Sequence, residues 1–435
     1  MIERYSVPEL TKIWSDENKF QTWLRVEIAV VQAWGNAGVI PQNDVQLITN
    51  NAKIHVPDIM QYIDETHHDV TAFLRSISDS LGSESRWVHY GLTSNDVWDT
   101  ATCLQWIETI DFLTSQSIDL RNMIMQRAKE HKNTVCIGRT HGIHAEPTTF
   151  GLKLLVWVEE LQRHIERLTL ARTQIAVGQM SGPVGTHASV PPSVESEACN
   201  LLGLNVAPVT TQIIQRDRHA FLLSVIAGIG SSLEKFATEI RGLQRTEVRE
   251  VEEPFSEGSQ TGSSSMPHKR NPELCERVCG LARTLRGYST VGLENVNLWH
   301  ERDISHSGAE RIIFPDSSGL LAYMLKIFTE IMTGLVIYPE RMKKNIEQTK
   351  GLIFSAKTLN ALLLSGLARE NAYKIVQSHA MDAWHNDLDF RDLIKSDPVI
   401  NTNLPPGELD NLFNIEDYLT HIEDSFLRVE KLGYL

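Results

Sequence analysis

Across residues 215–252, QRDRHAFLLSVIAGIGSSLEKFATEIRGLQRTEVREVE, the apolar positions Leu222, Ile226, Ile229, Leu233, Phe236, Ile240 and Leu243 are spaced alternately four and three apart. This is a heptad seam, and it calls for long neighbouring helices packed at shallow angles. The pattern predicts a helix from about Gln215 to about Glu252, ended by Pro254. At 1.5 Å per residue it would reach roughly 50–60 Å, longer than a small domain is wide.

Further long helices lie on either side. One follows Ser94-Asn95-Asp96, with Val97, Ala101, Leu104, Ile107 and Ile110 on one face. Another is expected to start near Pro147, a favourable first-turn residue, and carries Phe150, Leu154, Val158, Leu161, Ile165 and Leu168 in one stripe. A fourth opens at Asn271-Pro272-Glu273, read as an N-cap, a proline and an acid suited to the helix dipole. Strand-like alternation is scarce. The expectation is an all-α fold with an N-terminal helical unit (1–92), a central long-helix bundle (93–340) and a helical C-terminal unit (341–435). Helices this long rarely bury every apolar stripe within one chain, so an oligomeric bundle is expected.

A chain of 435 residues is too long for one simple core. Its hydrophobic fraction of 42% and charged fraction of 22% suit a folded soluble protein. With 41 basic against 55 acidic side chains the formal charge is -14, which disfavours nucleic acid and anionic membrane as partners. Cys103, Cys136, Cys199, Cys275 and Cys279 form no paired framework and no zinc set, and read as reduced thiols. The charged start lacks a signal-peptide core, and no uninterrupted apolar run is long enough for a bilayer, so the expected location is cytoplasmic.

One stretch breaks the helical pattern. From Glu257 to Pro272 the chain is rich in Gly and Ser and ends in Met266-Pro267-His268-Lys269-Arg270-Asn271-Pro272 at a helix start. Such a run reads as a mobile surface loop. Its end gathers positive charge and free backbone N–H groups at the positive pole of a helix, which suits an anion, and the loop could close as a lid.

Gly262 to Pro272, in the pattern Gly-Ser-Ser-x-Met-Pro-x-Lys-x-Asn-Pro, resembles the signature of the aspartase/fumarase superfamily. Its members remove a proton from the carbon beside a carboxylate and expel the group on the next carbon, releasing fumarate. The resemblance implies Ser263 as base and Lys269 and Asn271 as carboxylate ligands. The residue types fit. The proton is weakly acidic because its loss adds charge to an anion, and Lys269, Asn271 and loop N–H groups would stabilise that charge where it develops.

Elimination also needs an acid. In Arg139-Thr140-His141-Gly142-Ile143-His144-Ala145-Glu146-Pro147 two histidines stand three apart, but no third ligand is evident, so a metal is not expected. A histidine titrating near neutrality suits proton delivery. The segment is similar to the Thr-His-Gly-x-His-Ala-Glu element of adenylosuccinate lyases, which implies that His141 is the acid and that Glu276 pairs with it.

Other blocks extend that resemblance and imply contacts to a succinylated purine nucleotide. Arg4-Tyr5, before Ser6-Val7-Pro8-Glu9 (read as a capping box), resembles the family's opening substrate grip. His68-Asp69-Val70 and His89-Tyr90-Gly91-Leu92-Thr93-Ser94-Asn95-Asp96 resemble elements in which His68 and His89 approach the nucleotide, His68 among the catalytic set, while Thr93 and Ser94 hold the succinyl carboxylates. Asp69 belongs to the same binding set. The position before the His68-Asp69 pair, often Arg or Lys in the family, is His67 here, implying a phosphate contact that is weaker and more pH-dependent. Gln212, within Thr211–His219, and Arg302, Ser307 and Arg311 complete the implied set, the two arginines able to cradle a phosphate. No cofactor is implied. Relatives build each site from three subunits of a homotetramer. Argininosuccinate lyase, which shares the fumarate half, and a silent scaffold are the alternatives; the Arg4-Tyr5, Gln212 and Arg302 blocks speak against the first, intact Ser263, Lys269 and His141 against the second.

Overall fold

The computed structural model describes residues 2–256 and 260–433. The chain is all-α in character; among the described residues, six short strands form three two-stranded ladders. Seven helices position the candidate site: α1 (Asp16–Asn36), α2 (Asp69–Asp79), α3 (Ser94–Glu130), α4 (Phe150–Ile175), α5 (Asp217–Gln244), α6 (Glu273–Glu294) and α7 (Ser305–Gly334).

The heptad seam of α5 is buried along its whole length, from Leu222 to Leu243. Each such side chain contributes roughly 1.5–3 kcal/mol relative to exposure. The stripes of α4 (Phe150 to Leu168) and α3 (Val97, Ala101, Leu104, Ile110) are covered too. By length and composition alone α5 would pass for a membrane span, but 67% of its most apolar window is buried inside the protein, as in a core helix.

Helix α5 stops at Gln244 rather than near Glu252. Beyond Leu243 the seam positions are Glu247 and Glu250, so more helix would add no apolar side chain to the seam. Arg249 turns left-handed (φ 52°), the Glu250 N–H donates to the Leu243 carbonyl, and Val251–Glu252 pairs with Val336–Ile337 as a short ladder. Pro147 also departs from expectation. It lies in a strand, and α4 starts only at Phe150. Strand β1 (Val135–Thr140) pairs antiparallel with β2 (Ile143–Thr149), and Pro147, which has no N–H to donate, faces Ile137 where the register shifts. The capping box at Ser6 does not form. Its hydroxyl donates to the Glu3 carbonyl at 2.8 Å, and the helix Pro8–Ile13 begins after Val7, which moves Glu9 out of capping position.

The chain divides into two compact units, Met1–Asp119, Leu161–Lys235 and Arg277–Phe328 in the first, and Leu120–Glu160, Phe236–Glu276 and Thr329–Leu435 in the second. In the first, Phe20, Trp23 and Phe73 anchor a core around α1, α2 and the start of α3. In the second, Trp157 stacks on Phe236 at 4.6 Å, the β1–β2 hairpin packs on the helix Pro339–Ile346, and Leu362, Phe390 and Ile394 centre a separate apolar cluster.

Candidate active site

In the first unit, three stretches distant in sequence line one cleft of about 380 Å³: His67, His68 and Asp69 from the start of α2; Ser94, Asn95 and Trp98 from the start of α3; and Arg302, Ile304, Ser307 and Arg311 leading into α7. Local chemistry orients each. His67 adopts a left-handed backbone (φ 52°) and ends the preceding helix. His68 caps α2, its Nδ1 accepting the Thr71 N–H at 3.2 Å, which leaves Nε2 for a ligand. Arg311 lies over the Trp98 ring at 4.4 Å and donates to Asp69 Oδ2 at 2.6 Å. Arg302 Nη1 donates to Asn95 Oδ1 at 2.7 Å. Two guanidiniums and two imidazoles around one hollow suit a planar ligand bearing anionic oxygens.

Behind this wall sits a buried charge cluster. Arg216 donates to Asp99 at 2.7 and 2.9 Å and to Glu310 at 2.8 and 3.1 Å. Burial works against all three charges. Arg216 overcomes it at Asp99, whose carboxyl is held below its usual range, but not at Glu310, which is pushed up to about 7. Burial and the same guanidinium hold His219 down to about 3 and His306 to about 4.

The remaining expected contacts of this unit stand outside the residues lining the cleft. Thr93 donates its N–H to Asp96 Oδ2 at 2.8 Å, and burial pushes Asp96 up to about 7. His89, left-handed at φ 63°, is held by Glu27 of α1 through its backbone N–H and ring Nδ1, at 2.8 and 2.7 Å. The Gln212 carbonyl accepts from Gln179 at 2.7 Å. Arg4 and Tyr5 form a short 3₁₀ turn, with Tyr5 against the Tyr323 ring at 4.9 Å.

The second unit carries the expected chemistry of proton transfer. His141 and Gly142 form the two-residue turn between β1 and β2, both left-handed (φ 54° and 81°), which is the hairpin geometry a right-twisted ribbon favours. The hairpin is fixed by Arg139, paired with buried Glu250 at 2.6 and 3.1 Å. Burial and the Arg139 charge lower the His144 pKa. The first residues of the glycine- and serine-rich loop, 257–259, lie outside the described residues. Further on, Ser263 Oγ accepts the N–H groups of Ser265 and Met266 at 3.3 and 3.1 Å, an arrangement that favours negative charge on that oxygen. Asn271 does not cap α6. Its amide donates to the Gly262 carbonyl at 2.7 Å and closes the loop, while the carboxylate of Glu253 accepts the N–H groups of Leu274 and Cys275 and caps the helix. Lys269 is exposed, and so is Glu276 in the first turn of α6. Among the described residues, the His141 ring and Glu276 carboxylate have no ion-pair partner, so the expected pair is not made within this chain.

Asn95 and Trp98 line the cleft without having been singled out in the sequence, although Trp98 follows Ser94 at the helical spacing that shares its face. Glu27 and Glu253 gave no local signal, because their partners lie 62 and 22 residues away.

Residues 3–287 match the Lyase family, and residues 351–429 match the family described as adenylosuccinate lyase C-terminus. Adenylosuccinate lyase of Bacillus subtilis (strain 168) is 51% identical, covering 100% of both chains, and that of Staphylococcus saprophyticus is 49% identical over 98% of this chain and 99% of its own. Among solved structures, the fumarate lyase from Mesorhizobium sp. BNC1 aligns with TM-score 0.89 at 25% identity, over 98% of each chain. The 3-carboxy-cis,cis-muconate lactonizing enzyme from Pseudomonas putida aligns at 0.86 and 27%, over 98% of this chain and 96% of its own. Shared ancestry along its whole length and a helical architecture held in common place the chain in the adenylosuccinate lyase family.

Proposed function

We propose that this lyase splits adenylosuccinate into AMP and fumarate, and likewise releases fumarate from succinylaminoimidazole carboxamide ribotide, in cytoplasmic purine nucleotide synthesis. Ser263 Oγ takes the proton from the succinyl carbon beside the carboxylate. The electron pair passes through the doubly charged carboxylate, held by Lys269 and loop N–H groups, and then expels the nitrogen as the C–N bond breaks. His141 gives that nitrogen its proton, with Glu276 favouring the charged imidazole. His67, His68, Asp69, Arg302, Ser307 and Arg311 hold the nucleotide, helped by Arg4, Tyr5, His89 and Gln212; Thr93, Ser94 and Asn271 serve the succinyl carboxylates.

The observation that carries this reading is the convergence of residues 67–69, 94–98 and 302–311 on one cleft of mixed cationic and aromatic lining. A homotetramer whose sites draw on several subunits fits it, since His141 has no ion-pair partner among the described residues and nearby Ile143 is 65% exposed. Purified protein should change the ultraviolet absorbance of each succinylated nucleotide and leave argininosuccinate intact. Cleavage of argininosuccinate alone would reassign the substrate.

A further inference from the structure

The carboxylate of Glu27 is 2% exposed and lies in the middle of α1, remote in sequence from every functional motif. Its two oxygens accept from a single residue: Oε2 from the His89 backbone N–H at 2.8 Å, and Oε1 from His89 Nδ1 at 2.7 Å. One turn pair further along α1, Trp34 Nε1 donates to the Tyr90 carbonyl at 3.2 Å, so α1 grips the same short segment twice. His89 stands there in a left-handed backbone conformation, which a non-glycine residue holds only when its surroundings over-determine it. A carboxylate this deeply buried is unfavourable without a counter-charge, and among the described residues His89 is its one cationic partner.

We propose that Glu27 is a positioning residue of the substrate site: it clamps His89 at backbone and ring together, so that Nε2–H is the one donor His89 has left for an anionic oxygen of the nucleotide. This rests on the reading of His89 as a nucleotide contact. Two acids face the imidazole, Glu27 from α1 and Asp96 from α3, and burial opposes its charge; the Glu27 bond and charge outweigh that burial, so His89 titrates above the ordinary histidine value. The clamp thus favours the imidazolium and fixes which nitrogen it presents.

The test is Glu27→Gln and Glu27→Asp in the full-length enzyme, with the His89 ring followed by carbon-13 NMR and its resonance assigned by loss in His89→Gln. In Glu27→Gln, burial acts unopposed by this partner, so the His89 midpoint should fall by about one unit or more and leave tenfold less imidazolium above neutrality. KM for adenylosuccinate should rise about tenfold at pH 8 and far less at pH 6, with Glu27→Asp, which keeps the charge, intermediate. Adding Glu27→Gln to His89→Gln should leave KM where the single His89 variant put it. An unmoved His89 midpoint in Glu27→Gln, or an equal KM penalty with and without His89, overturns the clamp and leaves the site reading standing. A midpoint that falls while KM keeps its pH profile overturns instead the reading of His89 as a nucleotide contact.

Discussion

Arg302 reaches Asn95 at 2.7 Å, and through Asn95 it is joined to the buried interior: Asn95 Nδ2 donates to Asp99 at 3.3 Å, Asp99 is held by Arg216, and Arg216 also holds Glu310. One buried guanidinium therefore ties the first turns of α3 to those of α7, the two helices that supply Ser94 and Ser307 to the cleft. Replacing Arg216 by Met strands two buried carboxylates. Urea denaturation should show a loss of about 3–5 kcal/mol. Asn95→Ala leaves the cluster intact, so its stability should change by about 1 kcal/mol or less while KM rises severalfold as Arg302 loses its rest. An Arg216→Met protein with an unchanged midpoint would show that the cluster carries no tension between its charges.

The same cluster sets a pH dependence. Glu310 is pushed up to about 7 by burial, whereas in the unfolded chain it titrates at about 4.3. The folded state thus keeps a proton that the unfolded state releases. Its contribution to stability is full below about pH 4 and is lost as pH rises through about 7. Buried Asp96 acts in the same sense. His219 and His306, held down to about 3 and about 4, act in the opposite one: their contribution is present above about 6.5 and lost as pH falls. In Glu310→Gln one of the opposing terms is gone, so stability relative to wild type should rise by about 2–3 kcal/mol between pH 4 and pH 8. Thermal unfolding across that range measures it, and a constant difference would contradict the assignment.

Gly262 lies against the Lys269 carbonyl, where an added Cβ would collide with the oxygen. That contact and the Asn271–Gly262 hydrogen bond close the loop between Ser263 and Lys269. Gly262→Ala must push the two arms apart. Since the arms are largely exposed, the melting temperature should move by no more than about 2 °C, while kcat falls at least about tenfold through misplacement of Ser263, the proposed base. A variant with full kcat would mean that the loop reshapes before chemistry.

What was legible in the sequence was what repeats. The heptad from Leu222 to Leu243 specified a buried helix because burial there depends only on period, and the stripes of α3 and α4 were read on the same ground. The boundaries were less legible. Pro147 has the chemistry of a helix start, yet it became a strand residue because Ile137 and the His141-Gly142 turn drew it into a hairpin. Ser6 lost its capping role because the helix begins one residue later than the pattern implies, at Pro8 after Val7. Within the site, residues near the motifs could be named, and seven of them do line one cleft. Glu27, Glu253 and Arg216 act from far along the chain, and no local pattern announces a partner that only folding brings near.

The separation of roles predicts how inactive subunits should cooperate. If each site takes its base loop and its histidine hairpin from different chains, then Ser263→Ala and His141→Gln proteins carry complementary defects. Each variant alone should be nearly silent, losing about a hundredfold or more in kcat, the usual scale for deleting a proton-transfer group. Mixed and reassociated, random assortment gives a quarter of the sites both intact partners, so activity should recover to about a quarter of wild type per site. Which face joins which does not alter this fraction, provided that the two residues never come from one subunit. A mixture that stays as inactive as its components would place Ser263 and His141 of the same chain in the same site, and the unpaired imidazole of His141 would then need another explanation.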